Sequence, residues 1–338
     1  ALEGAKRAIE QANAAGGVAG QKLELVVYDD QASPKEAVPA ATRMVERDKV
    51  VGAVSGSYSG STRAAASIFQ RGKVPYVVAY AIHPDITLTG DYLFRVSTMG
   101  EVQGRAGAKL VQGLGHKRVA LVTMKNDFGQ ALAAGFKEAA PTLGLAIINE
   151  YEYALQDRQF GPLVSKVKAD NPEVIYASGY FFTAGPLVSQ LRAAGITAPI
   201  IGQEGYDSDK FIEIAGAAAE GTLVTTSLDR DSDAAATKAF LADYRKATGA
   251  GADMVAASAF TAVSVLVDGL KRTNGAGGEV LKKALAEGRY DTPIGKLSFN
   301  DLHEVNKDIQ VQIVKDKAFH RHSVLNDPVL LAPPSRSK

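Results

Sequence analysis

The chain has 338 residues and a net charge of +1, with 46% of its residues hydrophobic and 22% charged. Because single hydrophobic cores rarely grow beyond about 250–300 residues, this length predicts two domains. The near-neutral charge gives no reason to expect nucleic acid or an acidic membrane as a partner. The sequence contains no cysteine, which excludes disulfides, thiolate metal sites and cysteine nucleophiles. It has no run of about 18 apolar residues, so no membrane span is predicted, and both a periplasmic chain whose leader has been removed and a cytosolic chain fit this composition.

The first fifty residues predict two helices separated by a strand. Apolar residues from Leu2 to Ala12 recur at three- or four-residue spacing, and two glycines at 16–17 end that helix. The segment KLELVVYDD at 22–30 predicts a strand that ends in acidic residues. Ser33 and Glu36 have the spacing of a capping box, and we expect Pro39 to bend or shorten the first turns of the second helix.

The stretch 50–84 carries the strongest local signal for a binding site. It predicts a strand (VVGAV), a polar loop (SGSYSGST), a helix, a second strand (VPYVV) and a second loop (AYAIHP). Consecutive parallel strands deliver both loops to one edge of a sheet, which is where open α/β sheets bind ligands. The first loop leads into a helix whose free N–H groups favour an anion, but it contains no lysine and is not a nucleotide P-loop. A small carboxylate fits better than a phosphate chain, and an ordinary turn remains the alternative.

The middle of the chain alternates regularly between strand and helix. Strands are predicted at 118–124, 145–151, 173–178, 198–202 and 221–226, with helices at 130–140, 160–170, 184–194 and 209–215. This alternation is typical of a doubly wound parallel sheet with helices on both faces. Beyond residue 228 the sequence predicts three helices and only two strands, followed by a proline-rich tail from 325. Because two strands cannot make a separate sheet, we expect them to complete sheets begun earlier, which makes the domains discontinuous.

Several segments match one family in its own order. They are EQANAAGGVAGQKLELVVYDDQASP, VGAVSGSYSGSTRAAASIF, VPYVVAYAIHPDIT, RVALVTMKNDFGQALAAGF, VIYASGYFFTAGPLVSQLRAAG, IIGQEGYDSDKF and AAEGTLVTT. On these residues the chain resembles the solute-binding proteins of ABC importers for branched-chain amino acids, the leucine/isoleucine/valine-binding family. The resemblance covers most of residues 8–230 and continues more weakly to about residue 315.

The resemblance implies an α/β fold of two doubly wound parallel-sheet lobes joined by three crossovers, the type I periplasmic binding or Venus-flytrap fold. Lobe 1 would hold residues 1–98 and 229–299, and lobe 2 residues 99–228 and 300–338, with the ligand cleft between them. Family members also have a strand and a glycine-containing loop ahead of the first helix. This sequence lacks both, so contacts from that side are left unassigned.

In the first lobe the resemblance implies four ligand-binding residues. Ser57 and Tyr58 would meet the ligand carboxylate with hydroxyl and backbone N–H donors. Tyr80 would offer its carbonyl to the ammonium, and Ile82 its N–H to the carboxylate. The family often has a hydroxyl residue at the position of Ile82, so one side-chain donor is lost here. A solvated turn is the alternative for the first pair.

In the second lobe the resemblance implies three more ligand-binding residues. Glu204, in a glycine-flanked loop after a strand, would pair with the ligand ammonium, although a lone loop glutamate is more often solvated. Phe128 and Tyr180, each following a strand, would close over the ligand, with core packing as the alternative. The family tends to tyrosine where Phe128 stands, so a hydroxyl is lost. The aromatic residues together indicate an apolar pocket roomy enough for an aromatic ligand.

The function implied is that of a periplasmic, non-enzymatic binding protein with its signal peptide removed. It would capture a hydrophobic amino acid, branched-chain or aromatic, by hinge closure and present it as a monomer to an ABC permease at the inner membrane. No GxGxxG follows the first strand, and no GxSxG or paired acid–base constellation occurs, so no catalytic residue, cofactor or metal ligand is expected. The alternatives are a carrier for an aromatic or other small carboxylate, and a cytosolic amide or amino-acid sensor on the same fold.

Overall fold

The computed structural model describes residues 1–336 and divides the chain into two compact units. Unit 1 contains Ala1–Met99, Asp233–Lys307 and the tail from Pro333, and unit 2 contains Gly100–Ser232 and Asp308–Ala332. Residues 300–307, placed by the sequence in the second lobe, belong to unit 1 because they bond to its third strand, where Arg95 N–H donates to His303 O at 3.0 Å. Residues 337–338 of the predicted second lobe lie outside the described residues.

Unit 1 contains a small parallel sheet with helices on both faces. Elements are numbered along the whole chain, and its helices are α1 (Leu2–Ala14), α2 (Pro34–Glu46), α3 (Ser59–Gly72), α4 (Asp85–Leu88), α10 (Ala235–Thr248), α11 (Met254–Arg272) and α12 (Gly278–Ala286). The sheet has the order β1 (Ala53–Ser55), β2 (Tyr76–Val78) and β3 (Leu93–Arg95), and a separate hairpin is made by β9 (Arg289–Thr292) and β10 (Gly295–Ser298).

Two clusters of small and aromatic side chains form the core of unit 1. On one face α2 and α3 pack on the strands, where the rings of Phe69 and Tyr76 stack at 4.2 Å between centroids. On the other face the alanines of α1 pack on Val263 and Val267 of α11. Among residues 1–336, α11 alone is long and apolar enough to cross a membrane, and 78% of its most apolar 18-residue window is buried, as expected of a core helix.

The predicted strand at 22–30 is wrong. The segment runs past the sheet without pairing, and within the described residues no backbone N–H from Glu24 to Asp30 donates to another backbone group. Segment 22–30 lines a cavity of about 660 Å³ together with β1, α1, α2 and α11. The segment and the edge of β1 therefore do not meet. Ser57 reaches this cavity, whereas Tyr58, Tyr80 and Ile82 are not among its lining residues. The cavity thus touches the start of the first candidate loop at Ser57 and does not extend to the second.

Unit 2 contains a larger sheet. Its helices are α5 (Gly100–Gly113), α6 (Asp127–Ala139), α7 (Gly161–Asp170), α8 (Phe181–Ala193) and α9 (Asp209–Ala215). Its strands are β4 (Arg118–Met124), β5 (Ala146–Tyr153), β6 (Val174–Ala177), β7 (Ile200–Gly202), β8 (Leu223–Thr226), β11 (Ile309–Lys315) and β12 (Ala318–Leu325). The spatial order is β12-β11-β8-β7-β6-β4-β5, parallel from β8 to β5 and antiparallel at β11 and β12.

The chain reverses its direction of travel across this sheet between β4 and β6. From β4 it moves outward to β5, then returns to place β6, β7 and β8 on the other side of β4. Such a switch point leaves a crevice at the carboxyl ends of the two strands, which is the usual ligand position in open α/β sheets. The late strand β11 joins this sheet beside β8, which confirms the expectation that a C-terminal strand completes an earlier sheet. For the other predicted C-terminal strand the expectation is wrong, because within the described residues β10 pairs only with β9 in the separate hairpin of unit 1.

Candidate ligand-binding site

In unit 1 the first candidate loop connects β1 to α3. Tyr58 is the N-cap residue of α3, in extended conformation, and Ser57 precedes it, so both lie at the helix N-terminus. Ser55 and Thr62 hold the loop: Ser57 N–H donates to Ser55 Oγ at 3.4 Å and the Thr62 hydroxyl donates to Ser57 O at 3.4 Å. The first N–H groups of α3, from Ser59 onward, have no carbonyl partner within the helix and suit an anion.

The second candidate loop follows β2 and is tied to the first. Ile82 N–H donates to Ser59 Oγ at 3.1 Å, and the Tyr80 hydroxyl donates to the carbonyl oxygen of Gly56. The structure thus brings the two loops together at neighbouring strand ends. Burial raises the pKa of both Tyr58 and Tyr80, so both hydroxyls remain neutral donors at physiological pH.

Ser59 is the residue that alters the expected use of Ile82. The sequence predicts that Ile82 N–H meets a ligand carboxylate directly, but in the structure Ser59 Oγ accepts from that N–H. A serine oxygen that accepts one bond still carries its own O–H donor. Ser59 is only 2% exposed and lies in the first turn of α3, so it is a better candidate for the hydroxyl donor than the sequence alone indicated.

In unit 2 the two candidate aromatic residues lie on either side of the switch point. Phe128 is in the first turn of α6, after β4, and Tyr180 caps α8, after β6. Their ring centroids are 4.9 Å apart at 38°, and the residues are 4% and 6% exposed. Both helices begin three residues earlier than predicted, because Asn126 Oδ1 caps α6 at Gly129 N–H (2.9 Å) and Tyr180 starts α8.

Glu204 lies at the next strand end in the same sheet. It opens a short 3-10 turn, Glu204–Tyr206, directly after β7, and is only 3% exposed. Its neighbour Gly205 packs on the Tyr180 loop so closely that a Cβ there would come within 2.1 Å of Gly179 O. The Glu204 loop therefore packs against the Tyr180 loop, and the Glu204 carboxylate is buried, in surroundings where a charged group requires a cation or strong donors.

The loop after β7 is fixed by a charge network that sequence reasoning missed. Asp207, 1% exposed, accepts hydrogen bonds from the Thr226 hydroxyl and from the Arg230 guanidinium. Arg230 also lies over the ring of Phe319, with 4.8 Å from its guanidinium carbon to the centroid. These residues come from three separate segments, and no local pattern marks them as partners.

Comparison with known proteins places this geometry in a family. Residues 1–318 match the family model described as periplasmic binding protein. The chain is 31% identical over 300 residues to the leucine-, isoleucine-, valine-, threonine- and alanine-binding protein of Pseudomonas aeruginosa, which covers 88% of this chain and 80% of that protein.

Two solved structures show the same fold. They are the branched-chain amino acid transporter substrate-binding protein LivJ of Streptococcus pneumoniae, in complex with isoleucine, and the leucine-binding protein LivK of Thermotoga maritima. Each gives a TM-score of 0.89 at 27% identity and covers 96% of this chain and 93% of its own.

The fold is that of a type I periplasmic binding protein, and the predicted fold class is confirmed. The chain belongs to the periplasmic binding protein family, beside the substrate-binding proteins of branched-chain amino acid ABC transporters, as the sequence resemblance indicated. The family is one of substrate-binding proteins that work outside the cytoplasm. The roles of the seven candidate residues stay predictions.

Proposed function

We propose that this chain is the periplasmic substrate-binding component of an ABC importer and that it captures a hydrophobic α-amino acid, branched-chain or aromatic. The observation that carries the proposal is that the buried carboxylate of Glu204, after β7, and the buried Phe128–Tyr180 ring pair, at the switch point between β4 and β6, lie at carboxyl ends of strands of one sheet. A buried carboxylate and aromatic rings at one sheet edge suit an ammonium group attached to an apolar body. The relatives named above, which bind leucine, isoleucine or valine by their names, support the same ligand class.

The proposal assigns the ligand carboxylate to unit 1. Ser57 and Tyr58 provide hydroxyl and N–H donors at the N-terminus of α3, where the helix dipole favours a negative charge. Ile82 contributes through Ser59: its N–H donates to Ser59 Oγ at 3.1 Å, and the Ser59 O–H is assigned to the ligand carboxylate. The Tyr80 carbonyl accepts a bond from the ligand ammonium.

In unit 2 Glu204 neutralises the ammonium, and Phe128 and Tyr180 cover the ligand side chain. Binding proceeds by hinge closure, in which the ligand stabilises the closed state by its higher affinity for it. The protein acts as a monomer and hands the ligand to a permease at the inner membrane. No bond is made or broken, so the proposal includes no catalytic residue, metal or cofactor.

A thermal-shift panel on refolded protein tests the proposal, since refolding removes ligand carried through purification. A ligand at about 100 times its dissociation constant adds about 2.7 kcal/mol to the free energy of unfolding, a shift of several degrees. We expect leucine, isoleucine, valine or phenylalanine to raise the midpoint, and glutamate and lysine not to. A panel in which no amino acid raises the midpoint would contradict the proposal.

A further inference from the structure

Arg95 and Glu304 form a fully buried ion pair behind the second candidate loop of unit 1. Their side chains are 0% and 1% exposed, and Arg95 Nε lies 3.1 and 3.0 Å from the two carboxylate oxygens. The rest of the guanidinium is directed at the loop: Nη1 donates to Ala81 O at 2.6 Å and Nη2 to His83 O at 2.8 Å. One side chain therefore bonds two carbonyls of the four-residue span 80–83, which contains both Tyr80 and Ile82.

The loop is held from two sides. Ile82 lies between Ala81 and His83, whose carbonyls accept from Arg95. The Ile82 N–H donates in another direction, to Ser59 Oγ at 3.1 Å. A planar guanidinium with five fixed donors can serve a carboxylate and two carbonyls at once. The backbone between Ala81 and His83 is thereby fixed by Arg95 on one side and by the first residue of α3 on the other.

The same pair joins the loop to two segments by which the chain leaves unit 1. Arg95 ends β3, and the chain passes to unit 2 after Met99; Glu304 lies three residues before Lys307, where it passes again. Arg95 N–H donates to His303 O at 3.0 Å, which pairs the two segments through the backbone as well. The Arg95 guanidinium thus connects the second candidate loop to both segments by which the chain leaves unit 1.

Buried ion pairs contribute little net stability, because desolvation offsets their attraction and apolar replacements of similar size are often no less stable. We infer that Arg95 is a positioning residue for ligand binding: it fixes the 80–83 backbone so that the Tyr80 carbonyl and the Ser59–Ile82 pair meet the ligand's charged groups. Glu304 keeps the guanidinium in place and balances its charge. The inference rests on the proposed function, since it assigns the support of that same site.

The test is Arg95→Lys in the full chain, which keeps the positive charge beside Glu304. The lysine ammonium has three donors on a flexible stem and cannot reproduce the planar fork. We expect the dissociation constant for leucine to rise about tenfold, the loss of one good interaction. In the ligand-free protein, hydrogen exchange of the amides from Ile82 to Leu88 should accelerate. A merely structural role would move neither reading once the protein is folded.

Arg7→Lys is the matched control. Arg7 also makes a two-pronged pair in unit 1, with Asp243 at 2.9 and 2.8 Å, and it contacts neither candidate loop. It should leave leucine affinity and loop exchange unchanged. The double variant Arg95→Met with Glu304→Met removes both buried charges together, and we expect it to retain the wild-type unfolding midpoint and to lose the same affinity as Arg95→Lys.

The inference is overturned if Arg95→Lys binds leucine like the wild type with unchanged exchange in the loop. If Arg95→Lys fails to fold, the double variant Arg95→Met with Glu304→Met decides the question. A double variant with the wild-type unfolding midpoint and wild-type leucine affinity overturns the inference. A wild-type protein that binds no amino acid contradicts the proposed function instead. Loop exchange in the ligand-free variants then still tests whether Arg95 fixes the 80–83 backbone, because it requires no ligand.

Discussion

The two candidate edges of the molecule are built in different ways. In unit 1 the loops after β1 and β2 are held by hydrogen bonds with buried polar groups: Ser59 accepts one from Ile82 N–H, and Arg95, paired with Glu304, donates to the second loop. In unit 2 the corresponding residues lie in the first turns of helices and are held by ring packing and helix caps. A polar scaffold fixes backbone donors and acceptors, which suits a carboxylate. An apolar scaffold around one carboxylate suits an ammonium on an apolar body.

The comparison predicts that the unit 1 edge is the more easily destroyed by a single change. Glu304→Ala leaves the Arg95 guanidinium buried without its counter-charge, and we expect a loss of about 3–5 kcal/mol in the free energy of unfolding. Urea denaturation measures it. Glu213→Ala, which removes an exposed carboxylate paired with Lys210, is the control and should stay within about 0.5 kcal/mol of the wild type. Equal losses of unfolding free energy in Glu304→Ala and Glu213→Ala would contradict the polar scaffold.

At the unit 2 edge the largest effect should fall on affinity instead. Glu204→Gln keeps the size of the side chain but removes the charge that faces the ligand ammonium. We expect leucine binding to weaken by roughly 100-fold, about 2.7 kcal/mol, with the unfolding midpoint lowered far less than by Glu304→Ala. Isothermal titration calorimetry gives the dissociation constant. A Glu204→Gln protein that binds leucine normally would remove Glu204 from the site.

The aromatic pair should give a smaller effect. Phe128→Leu keeps an apolar side chain but loses the ring contact with Tyr180, which is worth about 0.5–1.5 kcal/mol. We expect leucine affinity to fall a few-fold and the free energy of unfolding to fall by a similar amount. Phe136→Leu, which alters a buried ring contact with Tyr176 in the same unit, should lower stability without changing affinity. If both variants changed affinity equally, Phe128 would be ordinary core.

The smallest effect concerns pH and unit 1. Burial, the largest cause, lowers the pKa of His303 below 6.5; Asp91 raises it and Lys282 lowers it by lesser amounts. Below pH 6.5 the unfolded imidazole therefore takes up a proton while the folded one stays neutral. Stability should fall by at most about 1.4 kcal/mol per pH unit from pH 6.5 down to the folded pKa, and no further below it.

His303→Asn tests this, because asparagine tolerates the positive φ of 59° at that position. The variant should lose this part of the pH dependence of its urea midpoint, whereas His322→Asn, at an exposed position, should keep it. The opposite sign, a wild-type protein more stable at pH 5.5 than at pH 7, would show that the folded state binds the extra proton.

Local signals in the sequence were sufficient for the unit 2 edge. Strand and helix alternate there at regular spacing, so the positions after β4, β6 and β7 are strand ends by pattern alone, and Phe128, Tyr180 and Glu204 lie at those ends. The starts of α6 and α8 differ by three residues, because a cap residue such as Asn126 recruits the residues just after it into the first turn, and the strand bounds differ by one or two residues.

The unit 1 scaffold could not be predicted in the same way. Arg95 and Glu304 are 209 positions apart, and neither carries a local pattern that marks a buried partner. The segment 22–30 shows the converse failure: its composition favours a strand, but a strand forms only where a neighbouring edge accepts its hydrogen bonds, and β1 does not reach it. Strand propensity is local, whereas pairing depends on the tertiary structure.

The most direct test of the account is a calorimetric comparison of leucine with 4-methylpentanoate, the same acid without its amino group, on refolded protein. We predict that leucine binds and that the deaminated acid binds roughly 100-fold more weakly, because the deaminated acid brings no ammonium group to the buried Glu204 carboxylate. If 4-methylpentanoate binds as tightly as leucine, Glu204 does not recognise an ammonium, and the protein is a carrier of organic acids.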